Sequence, residues 1–151
     1  DLDVSQATPA GFTDVPADEW YYNYVNWGFE TGIVKGMDEN TFAPNEKITR
    51  EQMAVMLNNF IANTGAVLPE IHPAVSFTDS ERISPWAAGA VNRIVASGVM
   101  GGYPEGDYKP QGNATRAEAA TVIYKLITIR DSYYPDAPGL TKPDIQPEEE
   151  N

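Results

Sequence analysis

The sequence predicts an all-α protein built from two similar units, and three observations carry that prediction. Residues of the first half recur about 66 positions later, such as Trp20 with Trp86 and Thr49-Arg50 with Thr115-Arg116. Each half holds two apolar stripes at helical spacing around a loop of turn residues. Each Thr-Arg pair also opens a helix-capping motif. Repeats of this length are typical of units that bury their apolar faces against one another.

The first helix of each unit is predicted from start and stop signals. Ser84 is the expected N-cap in the second unit, with Pro85 at the first helical position, and Asp18 is the expected N-cap in the first unit. Gly32 and Gly98 are expected to end these helices, which we place near 19–31 and 85–97. The apolar residues expected on their inner faces are Tyr21, Tyr24, Val25 and Phe29, then Ala87, Ala90, Val91 and Ile94.

A turn-rich loop follows each first helix and leads to a second helix. Phe42 and Tyr108 are expected to hold these loops against the helices. Thr49 with Gln52, and Thr115 with Glu118, form two capping boxes, in which the Thr caps the helix and the third residue reaches back. The apolar residues behind them at helical spacing are Met53, Met56, Leu57 and Phe60, then Ala119, Val122, Ile123 and Leu126.

Composition limits the classes of function. The 151 residues carry a net charge of −12, which argues against a nucleic-acid partner because phosphate backbones are bound by basic surfaces. No run approaches the ~20 apolar residues of a membrane span, so we expect no membrane insertion. The absence of cysteine excludes disulfides and thiolate sites. No charged and apolar leader precedes Asp1, so we expect any signal peptide to be removed or to lie outside this sequence.

The sequence divides into five segments. We expect an N-terminal tether at 1–11, a first unit at 12–61, a linker at 62–76, a second unit at 77–129 and a tail at 130–151. The tail is rich in proline and ends in acidic residues, so from Asp131 onward it is expected to be extended or flexible rather than helical.

The ordered motifs resemble the S-layer homology repeat. The first unit carries Phe-Thr-Asp-Val-Pro…Trp, Gly-Ile-Val-Lys-Gly…Thr-Phe-Ala-Pro and Ile-Thr-Arg-Glu-Gln. The second carries Gly-Val-Met-Gly-Gly-Tyr-Pro-Glu-Gly-Asp-Tyr-Lys-Pro and Ala-Thr-Arg-Ala-Glu. The resemblance implies an extracellular protein that holds the bacterial cell wall or S-layer without a covalent bond. It implies binding of a secondary cell-wall polysaccharide, often pyruvylated, or of modified peptidoglycan.

The resemblance also implies three repeats around a pseudo-threefold axis, with the Thr-Arg helices in a central bundle and sugar sites in the grooves between repeats. Only two repeats are found here. A third repeat could lie outside this sequence, the tail could fill the gap, or a homo-oligomer or partner chain could complete the bundle. The number of grooves stays open at this point.

Arg50 and Arg116 are the leading site candidates, because a guanidinium at the start of a capped helix suits a carboxylate such as pyruvate. Alternatively, each arginine pairs with Asp14 or Asp79 or faces solvent. The other candidate residues for binding polysaccharide are Trp20, Trp86, Asp14, Asp79, Gly36, Gly102 and Tyr103. Met37 replaces Tyr103 in the first unit, so a first-unit site is expected to be weaker.

Each of these candidates has a structural alternative. Trp20 and Trp86 could stack on a sugar ring or could be core residues of the first helices. Asp14 and Asp79 could accept sugar hydroxyls or could cap the loop before the first helix. Gly36 and Gly102 could allow a close approach of the sugar or could only supply positive φ.

Two functions are therefore carried forward: a polysaccharide-binding anchor, and a module for assembly with copies of itself or a larger surface complex. An exposed apolar stripe on 49–61 and 115–129 would indicate assembly. No catalytic residue, cofactor or metal site is expected. His72, the single histidine, lies in the linker without a partner at ligand spacing.

Overall fold

The computed structural model describes residues 3–65, 67–73 and 75–134. The named elements in this part of the chain are all helices, which confirms the all-α prediction. The four α-helices are α1 (Tyr22–Glu30), α2 (Arg50–Thr64), α3 (Ala88–Ala96) and α4 (Arg116–Tyr133), with short 3₁₀-helices at Val4–Gln6 and Ser80–Arg82. In this part of the chain the one β-type contact is an isolated bridge between Thr49 and Asn113. No described helix has both the length and the apolar character needed to cross a membrane.

The second helices begin where the capping boxes predict. The Thr49 hydroxyl accepts a hydrogen bond from Gln52 N at 3.3 Å, and the Gln52 side chain accepts one from Thr49 N at 2.9 Å. Thr115 and Glu118 make the same reciprocal pair at 3.1 and 2.8 Å. Each box satisfies N–H groups that have no partner within the helix.

The first helices begin later than predicted, and their predicted N-caps are wrong. Tyr21 and Ala87 occupy the N-cap positions without a side-chain cap. The Ser84 side chain does not cap the helix, and its hydroxyl donates instead to Glu51 Oε1 at 2.8 Å. A turn fills the gap, in which the Ser84 carbonyl accepts from Ala87 N and Ala88 N. The predicted stops hold, since Gly32 and Gly98 have φ of 71° and 76°.

The main core lies at the junction of the two units. α2 packs against α3, so the second helix of the first unit covers the first helix of the second unit. The buried apolar residues of this cluster come from α2, α3, α4 and the loop before α4, and include Ala54, Ile61, Val91, Ile94, Val99, Tyr108 and Leu126. A smaller cluster of Phe12, Val15 and Val25 holds the first unit together.

No described α-helix packs over α1 in the way that α2 packs over α3. Part of the face of α1 that was predicted to be buried is therefore exposed. Tyr24 is 59% exposed and Phe29 is also exposed. Their equivalents in α3, Ala90 and Val95, are buried in the face that includes the contact with α2. The predicted apolar face is therefore buried in the second unit, while in the first unit only Val25 of that set is buried.

Asp14 and Asp79 have a structural role, but they hold the loop between the two helices of each unit rather than the loop before the first helix. The two Asp79 carboxylate oxygens accept from Tyr108 N at 2.7 Å and Lys109 N at 2.9 Å. Asp14 does the same for Phe42 N and Ala43 N. Ala43 and Lys109 have φ of 61° and 56°, a left-handed conformation that costs roughly 1 kcal/mol or more for a residue with a side chain. The paired hydrogen bonds offset that cost.

Gly36 and Gly102 are required by packing rather than by positive φ. A Cβ on Gly102 would lie 2.5 Å from the Phe77 ring and 2.6 Å from the Asp107 carbonyl oxygen. A Cβ on Gly36 would overlap the Phe12 ring in the same way. Neither glycine falls in the left-handed region, so the positive-φ alternative is wrong.

Both ends of the described chain differ from the expected tether and tail. The Thr8 hydroxyl donates to Glu30 Oε1 at 2.8 Å and Ala10 N donates to Asn26 Oδ1 at 3.0 Å, so this segment is docked on α1. α4 continues to Tyr133, so the prediction of a non-helical chain from Asp131 is wrong at 131–133. Positions 135–151 of the predicted tail lie outside the described residues.

Replacing Asp79 by alanine is expected to lower the free energy of unfolding by about 1.5–3 kcal/mol, because two charge-assisted hydrogen bonds are lost and Tyr108 N is left buried without an acceptor. Urea unfolding followed by tryptophan fluorescence measures this. Glu105→Ala, in the exposed turn of the same loop, is the control and should be near neutral. Equal stability of the two variants would contradict the role given to Asp79.

The Asp79 contacts also predict acid sensitivity. Burial raises the pKa of the Asp79 carboxyl, but hydrogen bonds from the Tyr108 and Lys109 N–H groups outweigh burial and hold the pKa below its usual value. Its stabilisation is therefore fully present above the unfolded-state pKa of about 3.9 and is lost as pH falls through the folded-state pKa. Thermal melts between pH 7 and pH 3 should show a shallower acid decline for Asp79→Asn than for the parent. Identical declines would contradict this.

Candidate functional site

Arg50 is buried at the junction of the two units, with 5% of its surface exposed. Its Nε donates to the Tyr108 carbonyl at 2.8 Å, and its Nη2 donates to the Gly101 carbonyl at 2.6 Å. Its Nη1 donates to Glu118 Oε1 at 2.9 Å. All three acceptors belong to the second unit. Pairing with Asp14 or Asp79, and full exposure to solvent, are both wrong for this arginine.

Two tyrosines complete the environment of Arg50. The guanidinium carbon lies 4.7 Å from the centre of the Tyr103 ring and 5.0 Å from that of Tyr108, within the range of cation–π attraction. The Tyr103 hydroxyl donates to the same Glu118 oxygen at 2.5 Å. The arginine is therefore fixed by aromatic faces as well as by hydrogen bonds.

The ionisation states of this cluster are set by its contacts. The hydrogen bond from the Tyr103 hydroxyl, with one from Thr115 N and the charge of Arg50, lowers the pKa of Glu118 to about 2. Burial raises the pKa of Tyr108 to about 12, and the hydrogen bond to Glu118 raises the pKa of Tyr103. At neutral pH the cluster thus holds an ionised Glu118 and two neutral phenols.

The N-terminus of α2 is occupied by protein, which corrects part of the predicted carboxylate site. Arg50 N donates to the Gly112 carbonyl at 2.9 Å and Glu51 N donates to the Pro110 carbonyl at 3.0 Å. The Glu51 carboxylate accepts from Ser84 N and from the Ser84 hydroxyl. These N–H groups join the two units and are not free for a ligand.

A groove of about 240 Å³ opens beside the Arg50 side chain. Its walls come from Arg50, from the 99–101 segment and from one face of α4, with Ala117, Glu118, Thr121, Val122 and Lys125 on the helix. Arg50 and Lys125 outweigh Glu118, so the groove carries a local positive charge on a protein of net charge −12. Arg50 uses one N–H of each nitrogen, so each terminal nitrogen keeps a second N–H.

The structure brings only part of the predicted site together. Arg50 lines the groove, and Tyr103 contacts both Arg50 and Glu118. Arg116 is exposed at the start of α4. Asp14, Asp79, Gly36 and Gly102 serve the loops instead.

The tryptophans are surface residues. Trp20 is 80% exposed and Trp86 is 60% exposed, so the alternative that they belong to the core is wrong. Within the described part of the chain, neither lines the Arg50 groove. Their large exposed rings are available for contact with a sugar face, but not beside this arginine.

Sequence reasoning treated Glu118 only as a capping residue and did not single out Thr121 or Lys125. The contact between Arg50 and Glu118 joins residues far apart in sequence, and no periodic pattern predicts it. The spacing of Glu118, Thr121 and Lys125 did contain a signal, because residues three, four and seven apart share one helix face.

The sequence matches a family model described as the S-layer homology domain at residues 11–54 and 76–120, more than half of the chain. It is 35% identical over 127 residues to an amylopullulanase of Thermoanaerobacterium thermosulfurigenes, covering 83% of this chain and 7% of that protein. It is 34% identical over 131 residues to the S-layer protein sap of Bacillus anthracis, covering 83% of this chain and 15% of that protein.

A cellulosome-anchoring protein of Acetivibrio thermocellus is 27% identical over 116 residues, covering 77% of this chain and 26% of that protein. The chain thus spans about a quarter or less of the length of these relatives. The chain therefore belongs to the S-layer homology family, as an extracellular module that anchors proteins at the bacterial cell wall or S-layer.

Proposed function

We propose that this module anchors by binding an acidic secondary cell-wall polysaccharide in the groove beside Arg50, with a ketal-linked pyruvate or similar carboxylate as the recognised group. The observation that carries the proposal is the positive charge of this groove, where Arg50 of the first unit and Lys125 of the second line the same space. A protein of net charge −12 gives no long-range attraction to an anionic glycan, so recognition depends on such a local site.

The groove offers matched groups for an acidic sugar. A carboxylate would accept from the remaining N–H groups of Arg50 and from the Lys125 ammonium. The Thr121 hydroxyl already donates to the Ala117 carbonyl at 2.9 Å, so its oxygen is left to accept from a sugar hydroxyl. A Cβ on Gly101 would meet no atom within 4 Å, so the groove is open at this point.

Arg50 combines this role with joining the units, so its removal is a poor test of binding. The useful variant is Lys125→Gln, because Lys125 is exposed and its loss leaves the Arg50 contacts intact. Loss of one charge-assisted hydrogen bond of about 1.5 kcal/mol should weaken binding roughly tenfold. Binding to purified wall sacculi, before and after removal of the polymer that is not peptidoglycan, measures this.

Lys47→Gln is the matched control, since Lys47 is exposed in the first unit and its loss changes net charge equally. The control should bind like the parent, and stripped sacculi should bind none of the three proteins. Equal affinity of Lys125→Gln and Lys47→Gln, or undiminished binding to stripped sacculi, would overturn the groove as the polysaccharide site.

Assembly is a second candidate function because apolar side chains on α4 and on α1 are exposed to solvent. Ile123 and Tyr124 of α4 are 54% and 68% exposed, and Tyr24 of α1 is also exposed. By repeat equivalence, the α4 positions match Leu57 and Asn58 of α2, and Tyr24 matches Ala90 of α3. By analogy with the α2–α3 contact inside the chain, we propose that α4 of one copy would cover α1 of another.

If this contact forms, the parent should show concentration-dependent association in sedimentation velocity, and Ile123→Glu should abolish it by placing a charge in the apolar contact. Lys47→Glu serves as the control for a charge change away from both faces. A parent that stays monomeric at every concentration would exclude self-assembly through these faces, and the anchoring proposal would be unaffected.

A further inference from the structure

A second cleft, of about 470 Å³, lies entirely within the second unit. One side is formed by Thr78 and Arg82, and the other by Asp107, Lys109 and Gln111 at the end of the loop. Arg82 and Lys109 are both exposed, so two cations border the cleft. Asp79 also lines the cleft, so the four charged side chains of the cleft balance overall. The Asp79 oxygens accept from the Tyr108 and Lys109 N–H groups, and neither cation is hydrogen-bonded to them.

Asp107 supplies an acceptor at the same place. Its Oδ2 lies 3.6 Å from the Lys109 ammonium, and its Oδ1 is buried without a hydrogen-bond partner. Because Oδ1 is closed to solvent, a ligand hydroxyl would donate to the part of this carboxylate that stays accessible, since the side chain is 24% exposed. Cations for an anionic substituent, with a carboxylate and a Thr hydroxyl for sugar hydroxyls, match the chemistry of an acidic sugar ring.

The chemistry of this cleft is absent from the first unit. The positions of Asp107, Lys109 and Gln111 are held there by Thr41, Ala43 and Asn45, and no cation lies between Asp14 and Trp20. The left-handed conformation at this position is nevertheless kept, with φ of 56° at Lys109 and 61° at Ala43. The fold therefore does not need the charged side chains of the cleft.

The cleft and the Arg50 groove have different lining residues, but contacts link the two linings. The Lys109 ammonium lies 4.2 Å from the centre of the Tyr103 ring, which also faces the Arg50 guanidinium. Gly112, which lines the cleft, accepts a hydrogen bond from Arg50 N. Tyr103 and the 109–112 segment thus separate the two spaces.

We propose that this cleft is a second subsite for an acidic sugar residue, which receives a neighbouring part of the polysaccharide held beside Arg50. The inference rests on the proposed function of the groove. It predicts that long fragments of the polymer occupy both spaces, whereas fragments of a single repeating unit are held by the groove.

The test uses Arg82→Ala with Lys109→Ala. Alanine at 109 reproduces the first unit's Ala43 in the same backbone conformation, and the hydrogen bonds of 82 and 109 to Gln111 and Asp79 come from the backbone, so the fold is retained. Lys35→Gln with Lys47→Gln is the control, because it removes two exposed cations from the first unit. The probe is the polymer released from sacculi, separated by size and titrated by calorimetry.

The double variant should lose about tenfold in affinity for long fragments, stay within about twofold for single repeating units, and behave unlike its control. Lys125→Gln should lose affinity for both sizes. If the double variant binds long fragments like its control while Lys125→Gln still fails, the cleft is not a subsite and the groove proposal stands. If Lys125→Gln binds both sizes like the parent, the groove proposal fails and this inference fails with it.

Discussion

The burial of one guanidinium governs this structure. A buried charge is tolerated only where its donors are satisfied, and Arg50 of the first unit finds its acceptors in the second. Other hydrogen bonds hold those acceptors in position. Asp79 fixes the loop that presents the Tyr108 carbonyl, and the Thr115 capping box orients the Glu118 carboxylate. The two units are therefore joined by groups that each depend on a motif of the repeat.

The same guanidinium that joins the units borders the groove, so stability and recognition share a residue. Glu118 cancels part of the Arg50 charge, and with a pKa of about 2 it stays ionised over the range in which proteins remain folded. The charge left for a ligand therefore depends on Lys125, which has no part in joining the units. This separation allows affinity to change without loss of the fold.

Local sequence signals predicted the local structure, and long-range contacts account for the rest. The capping boxes and the glycine stops were correct because their partners lie within a few residues. Ser84 does not cap α3, which begins at Ala88, and both its N–H and its hydroxyl donate to Glu51, which is distant in sequence. The acceptors of Arg50 and the exposure of Tyr24 likewise depend on how the units meet, which no spacing within one unit records.

The contact between Glu51 and Ser84 depends on a residue that the second unit does not repeat. Glu51, at the start of α2, accepts two hydrogen bonds from Ser84 near the start of the second unit. The equivalent position in the second unit is Ala117, which has no carboxylate. A unit that packed against α4 in the same way would therefore not form these two hydrogen bonds.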